Sequence, residues 1–140
     1  MQLQDALIKP KIFIGLDIHK KSWTVSIQTD LFFHRTYSMP SVAEDLYQYV
    51  EQTFPNHEVN LVYEAGCCGF SAARYFLNLG WNVLVVNPSD VKTGDKQRYQ
   101  KTDALDSRNL SNQLKAGVLL GVYIPTEEHE QFTTLARHRA

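Results

Sequence analysis

Four carboxylates occupy the positions from which this sequence could do chemistry. Asp17 closes the run "KIFIGLD" and Glu64 closes "VNLVYE", each a β-rich stretch that ends in an acid. Asp103 and Asp106 stand three apart in "KTDALDSRNL", and Leu110 and Leu114 continue the same stripe. Residues three and four apart share a helix face, so these two acids lie on the face that should meet the protein body. A buried carboxylate is costly unless a cap, a cation or a metal neutralises it. Carboxylate oxygens are the donors that hard Mg²⁺ takes, with waters and substrate phosphate completing its shell. Two such ions about 4 Å apart can activate an attacking oxygen and stabilise a leaving one in phosphodiester cleavage.

Each acid also has a local reading. Asp103 suits a helix N-cap with Asp106 at the third helical position, where both favour the helix dipole. Glu64 could cap the helix that follows it, and Asp17 could start a turn. Those readings need separate reasons for four acids at element ends, whereas convergence on one metal site needs a single reason. Convergence places a demand on the fold: the strands ending in Asp17 and Glu64 must be neighbours, with the N-terminal end of the Asp103 helix beside them.

The elements that would position these acids are readable in order. "KIFIGLD" and "WTVSIQT" are strands, the second with Trp23, Val25 and Ile27 on one side and Thr24, Ser26 and Gln28 on the other. "LFFHRTYSM" is a third, and the short connections "IHKK" and "DL" predict antiparallel hairpins. Ser41 with Glu44 matches an S-x-x-E capping box, and Val42, Leu46, Tyr49 and Val50 follow at helical spacing. "VNLVYE" is a buried strand, "AGCCG" a turn, and "FSAARYFLNLG" a helix closed by Gly80. "WNVLVVN" is a fifth strand, and the polar stretch "SDVKTGDKQRYQ" a loop. A helix from about Asp103 to Ala116 ends at Gly117, and "TEEHEQFTTLARHRA" opens another with Phe132, Leu135 and Ala136 as its face. The order β-β-β-α-β-α-β-α-α predicts an α/β domain with a mixed five-stranded sheet, helices packed on it, and the ribonuclease H-like arrangement.

Bulk properties exclude some classes. With 140 residues, 44% of them hydrophobic, the chain suits one domain that buries roughly two-thirds of its unfolded surface without a metal staple. Runs such as "VLVV" and "VLLGVYI" are too short to cross a bilayer. The opening "MQLQDALIKPK" lacks the basic-then-apolar pattern of a signal peptide, so the expectation is a cytoplasmic protein with no membrane partner. Adjacent Cys67 and Cys68 form neither a disulfide framework nor a CxxC spacing. A net charge of -1 gives no overall support for nucleic-acid binding, which must then rest on local charge.

The set "GLDIHK", "YEAGCCGF", "VVNPSDV" and "KTDALDSRNL" resembles the DEDD-type transposases of bacterial and archaeal insertion sequences, a group that includes the pilin-gene inverting recombinase. The resemblance runs from about Lys11 to Ala140 and includes the tail "VYIPTEEHE". It implies a RuvC-like, ribonuclease H-like catalytic domain whose tetrad is Asp17, Glu64, Asp103 and Asp106. It further implies Mg²⁺ as cofactor, with Mn²⁺ substituting, and cleavage and transfer of DNA strands at insertion-sequence ends. The implied partners are DNA, a structured non-coding guide RNA and, in the full-length protein, further copies of the chain.

Members of that family continue through a long helical segment into a second domain bearing a serine needed for recombination. The expected organisation is therefore a catalytic domain over 1–125 and, over 126–140, the start of a helix leading to a further region. Ser107 stands where alanine is usual, and Gln100 where a basic residue often precedes the lysine; neither touches the tetrad.

Lys92, Lys96, Arg98 and Lys101 crowd the loop before the acidic helix, where they could hold phosphates of DNA or RNA or simply be solvated. Lys20 could do the same, Tyr99 could stack on a base, and His19 falls two residues after Asp17 on its side of an extended chain. Two rival functions remain. An ATP-binding domain of the actin and sugar-kinase type needs a glycine-bearing turn after the first acid, and "DIHKKS" has none. A non-catalytic module that binds RNA or a partner, or dimerises through Phe132 and Leu135, would not bind divalent metal at the four acids.

Overall fold

The computed structural model describes residues 9–66, 69–87, 107–119 and 121. Its described elements are β1 (Lys11–Ile18), β2 (Ser22–Thr29), β3 (Phe33–Pro40), α1 (Ala43–Thr53), β4 (Glu58–Glu64), α2 (Ser71–Asn78), β5 (Asn82–Val86) and α3 (Ser107–Ala116). The strands form one five-stranded sheet in the order β3-β2-β1-β4-β5. The pairs β1–β2 and β2–β3 are antiparallel, while β1–β4 and β4–β5 are parallel. This is the mixed sheet of the ribonuclease H-like expectation, with β1 and β4 adjacent as convergence of the acids requires.

Alternation of side chains along each strand gives the sheet two unlike faces. Ile12, Ile14 and Leu16 of β1, with Trp23, Val25 and Ile27 of β2, are buried against Leu46 and Val50 of α1 and Ala73 and Phe76 of α2. Phe76 stacks on Trp81 with ring centroids 4.7 Å apart and planes 2° from parallel. The Tyr63 hydroxyl, at the end of β4, donates to the Gly69 carbonyl (3.0 Å) and accepts from the Ala73 amide (3.2 Å), tying the end of β4 to the first turn of α2. Burial of these side chains is the main favourable term, at about 1.5–3 kcal/mol for each large apolar group.

The other face carries α3. Leu110 is fully buried with Val62 and Val86, and Leu114 packs on the edge of that cluster. The helix lies very close to β1, because Gly15 presents no side chain there. A Cβ on Gly15 would stand 2.1 Å from the Ser107 carbonyl oxygen and 2.7 Å from the Ser111 amide nitrogen.

Local signals held at most element ends. Gly80 and Gly117 take positive φ of 93° and 74° just past α2 and α3, the left-handed geometry that glycine adopts without penalty. The turn between β2 and β3 is longer than "DL" alone, and β3 starts at Phe33 rather than Leu31. The Thr29 hydroxyl shapes that turn by accepting from the amides of Leu31 and Phe32, each at 3.0 Å.

One expectation is overturned. The capping box at Ser41 and Glu44 does not form: α1 begins after Val42, with no side-chain cap. Ser41 stands one position too early, and its hydroxyl instead donates to the Lys20 carbonyl at 3.2 Å. The expected first turn at Asp103–Asp106, the loop of residues 89–100 and the last helix fall outside the described residues.

Replacing Gly15 with alanine should lower the unfolding free energy by at least about 2 kcal/mol, since overpacking against backbone has no flexible atom to yield. Urea denaturation of both chains measures this directly. Equal midpoints and slopes would mean that α3 does not lie on β1 as described.

Candidate metal and active site

Leu16 of β1 pairs with Tyr63 of β4, so the next residues, Asp17 and Glu64, fall side by side at the carboxyl ends of two parallel strands. Ligands of α/β sheets collect at such ends. Period-two alternation puts Asp17 with Gly15, and Glu64 with Val62, on the face that carries α3. Leu16, Asp17, Ile18, Glu64, Ala65 and Gly66 line a small cleft of about 80 Å³. A larger hollow of about 520 Å³ lies at the opposite end of β1, lined by Pro10, Leu31, Phe32 and Phe54 among others. Its walls are mostly apolar, with Lys11, Asp30 and His57 among the lining residues, whereas the smaller cleft brings two carboxylates together at strand ends and is the candidate site.

The two carboxylates differ sharply. Asp17 is a third exposed, and its Oδ2 lies 3.3 Å from Nε2 of His19, itself 60% exposed. Glu64 Oε2 is buried and has no hydrogen-bond partner among the described residues. Burial first, and the neighbouring Asp17 charge second, push the Glu64 carboxyl up to about 7, as loss of solvent and a like charge both disfavour ionisation.

The local readings of these two acids fail. Asp17 lies within β1 opposite Thr24, and the turn is closed beyond it by the His19 amide on the Ser22 carbonyl at 2.9 Å. Helix α2 begins after Phe70 without a side-chain cap, so Glu64 does not cap it.

Helix α3 runs antiparallel to β1. Its first residue, Ser107, lies over Gly15, and the Ser111 hydroxyl, one turn later, donates to the Phe13 carbonyl at 2.9 Å. The described start of α3 is therefore at the Asp17 and Glu64 end of the sheet. Asp106 directly precedes Ser107 in the sequence and Asp103 comes three residues earlier; both lie outside the described residues. Among the described residues no group of three or more potential metal ligands is assembled.

Of the basic candidates, Lys20 is exposed in the turn after Asp17, at the same end of the sheet. Lys92, Lys96, Arg98 and Lys101, along with Tyr99, Cys67 and Cys68, lie outside the described residues. His19 does reach the side of Asp17 that its spacing implies.

Sequence reasoning missed two contributors: Gly15, and a buried polar seam between β2 and α3. Ser26 Oγ hydrogen-bonds Ser107 Oγ at 2.8 Å, and Gln28 reaches Ser111 and Asn112. The available signals were the polar side of β2 and the i, i+4 pair Ser107 and Ser111.

Residues 14–140 match the family model for DEDD transposases of the IS110 type, described as transposase. The chain belongs to the DEDD transposase family. That match spans Asp17, Glu64, Asp103 and Asp106. The chain is 37% identical over 83 residues to the Sinorhizobium fredii protein y4qE, proposed by its name to be a transposase. It is 24% identical over 143 aligned positions to the transposase for insertion sequence element IS1533 of Leptospira borgpetersenii. These alignments cover 58% and 94% of the chain but only 20% and 39% of the two relatives. No described helix is long and apolar enough to cross a membrane.

The raised carboxyl of Glu64 sets a pH dependence with a definite sign. Below about 4.5, the ordinary value, Glu64 is protonated whether the chain is folded or not. As pH rises from there through about 7, the unfolded chain releases this proton first, so the folded state loses stability. Without divalent metal, the melting temperature of Glu64→Gln should exceed that of the parent chain by a margin that widens from pH 4.5 to 7. Taking the difference between the two cancels the opposing contribution of His34, whose pKa burial and Arg35 lower. A constant margin across that window would contradict the buried, unpartnered state of Glu64.

Proposed function

We propose that this chain carries the metal-dependent, DNA-cleaving centre of an insertion-sequence transposase, formed by Asp17, Glu64, Asp103 and Asp106. The observation that carries the reading is the buried Oε2 of Glu64, without a hydrogen-bond partner among the described residues, beside Asp17 at the carboxyl ends of neighbouring parallel strands. Protein interiors rarely leave a carboxylate oxygen without a partner. A hard divalent cation fits this donor set: all-oxygen, anionic, and partly open to solvent through Asp17. The family match over 14–140 supports the same assignment for Asp103 and Asp106.

When bound there, Mg²⁺ or Mn²⁺ supplies Lewis acidity at the phosphodiester oxygens and favours ionisation of an attacking hydroxyl. The chain's own residues do the rest. Asp17 and Glu64 hold the cation from rigid strand ends, which fixes their spacing better than a loop would. Glu64 would give up its proton to solvent on loading, so that a carboxylate with one charge shared over two oxygens replaces a neutral acid. His19, against Asp17, orients that carboxylate and is close enough to contact a phosphate. Lys20 from the first turn, and Lys92, Lys96, Arg98 and Lys101 from the loop before α3, hold backbone phosphates of DNA or of a guide RNA.

In this reading residues 1–125 make up the catalytic domain, and 126–140 begin a helix toward a further region. Full strand transfer belongs to the longer protein, acting as a homo-oligomer.

Calorimetric titration with Mn²⁺ tests the assignment. The parent chain should bind, and the Asp17→Asn, Asp103→Asn double variant should not. Near pH 6.5, binding should release a proton from Glu64, seen as a dependence of the observed heat on buffer ionisation enthalpy and absent in Glu64→Gln. Equal binding by parent and double variant, or none by either, would defeat the metal reading and favour a non-catalytic interaction module.

A further inference from the structure

The face of the sheet under α3 is built unlike the opposite face, and the difference bears on the site. Gln28 is 7% exposed, and Ser111 and Ser26 are fully buried. Gln28 Nε2 donates to Ser111 Oγ at 3.0 Å and to Asn112 Oδ1 at 2.7 Å, using both amide hydrogens on α3. The Ser111 hydroxyl in turn donates to the Phe13 carbonyl of β1 at 2.9 Å. One continuous chain of hydrogen bonds thus joins β2, α3 and β1.

An apolar contact of the same area would hold the helix on the sheet but tolerate small slides, because apolar burial is non-directional. Hydrogen bonds weaken steeply away from their preferred distance and angle. A buried amide that loses its partners is penalised by more than the bond itself was worth. The Gln28 network therefore allows α3 one axial position.

We infer that Gln28 is a positioning residue of the metal centre: through Ser111 and Asn112 it locks α3 along β1, setting where Ser107, which follows Asp106 in the sequence, sits relative to Asp17 and Glu64. This rests on the metal reading proposed above. Gln28 touches neither metal nor substrate in this scheme. The contact of Ser107 with Ser26 is secondary in this scheme.

The test uses two variants of the full chain, Gln28→Met, near in shape but without the amide, and Asn112→Ala, at an exposed site where no core packing is lost. Each is assayed, at a temperature where circular dichroism shows it folded, for Mn²⁺ affinity and for amide hydrogen exchange. Gln28→Met should weaken Mn²⁺ binding by about tenfold, the lower end of what outer partners of metal ligands contribute. It should also speed exchange at Leu110 and Ser111 while leaving the strand amides of β4 and β5 protected. Asn112→Ala should show the same changes, smaller.

A role in stability alone would lower the melting temperature of Gln28→Met and leave the affinity of the folded protein unchanged, which overturns the inference. Failure of the parent chain to bind Mn²⁺ sinks the metal reading and with it the link from Gln28 to a metal centre. The lock itself is then decided by exchange: unchanged protection in α3 of both folded variants refutes it.

Discussion

The arrangement depends on how close α3 comes to β1, and that closeness exists because residue 15 has no side chain. A helix crossing a sheet usually rests on the side chains beneath it. Here the backbone of the first turn of α3 sits within van der Waals range of the strand itself. The contact point is two residues from Asp17, so the described start of α3 lies at the end of the sheet that carries Asp17 and Glu64. With the helix that low, Leu110 reaches Val62 and Val86 on one flank, while Ser107, Ser111 and Asn112 reach Ser26 and Gln28 on the other. A methyl group at position 15 would lift the helix off both flanks at once.

The same closeness shapes the electrostatics. Glu64 emerges on the covered face, where burial removes water from one of its oxygens and no donor among the described residues replaces it. Asp17 lies beside it with its own negative charge. Burial first and the charge of Asp17 second raise the Glu64 carboxyl to about 7, so that near neutral pH it carries a proton about half of the time. Sites that break a rule of stable folding in this way tend to be sites of function. The exposed His19 does not relieve Glu64, because its contact is with Asp17.

Much of this was readable in the sequence, for identifiable reasons. Strands β1, β2 and β4 stand out through β-branched and aromatic runs, and hairpin-length connections set the antiparallel half of the sheet. Gly80 and Gly117 mark helix ends because a positive φ there suits glycine alone. Asp17 and Glu64 were visible as acids ending buried strands. The capping box misled because S-x-x-E reports side-chain chemistry but not which backbone position the serine takes. Preceded by Pro40 and drawn to the Lys20 carbonyl, Ser41 misses the cap by one residue. The seam under α3 escaped because alternation along β2 tells which side is polar, not what covers it. Ser26 and Gln28 could as well have faced water; only the matching polar residues of α3, some 80 positions away, make them interior.

The two faces of the sheet therefore divide the work. Aromatic and aliphatic packing against α1 and α2 is where stability resides, and truncating a large side chain there typically costs about 2–5 kcal/mol. On the α3 side a handful of hydrogen bonds, each worth about 0.5–1.5 kcal/mol net, contributes far less to folding but far more to direction. Direction matters most at the sheet end where the described start of α3 comes beside Asp17 and Glu64. Placing the directional contacts on the face opposite the main core separates what fixes the position of α3 from what holds the fold together. The hydroxyl of Ser107 also falls in this seam, where it finds Ser26, and not in the apolar core, where it would find no partner.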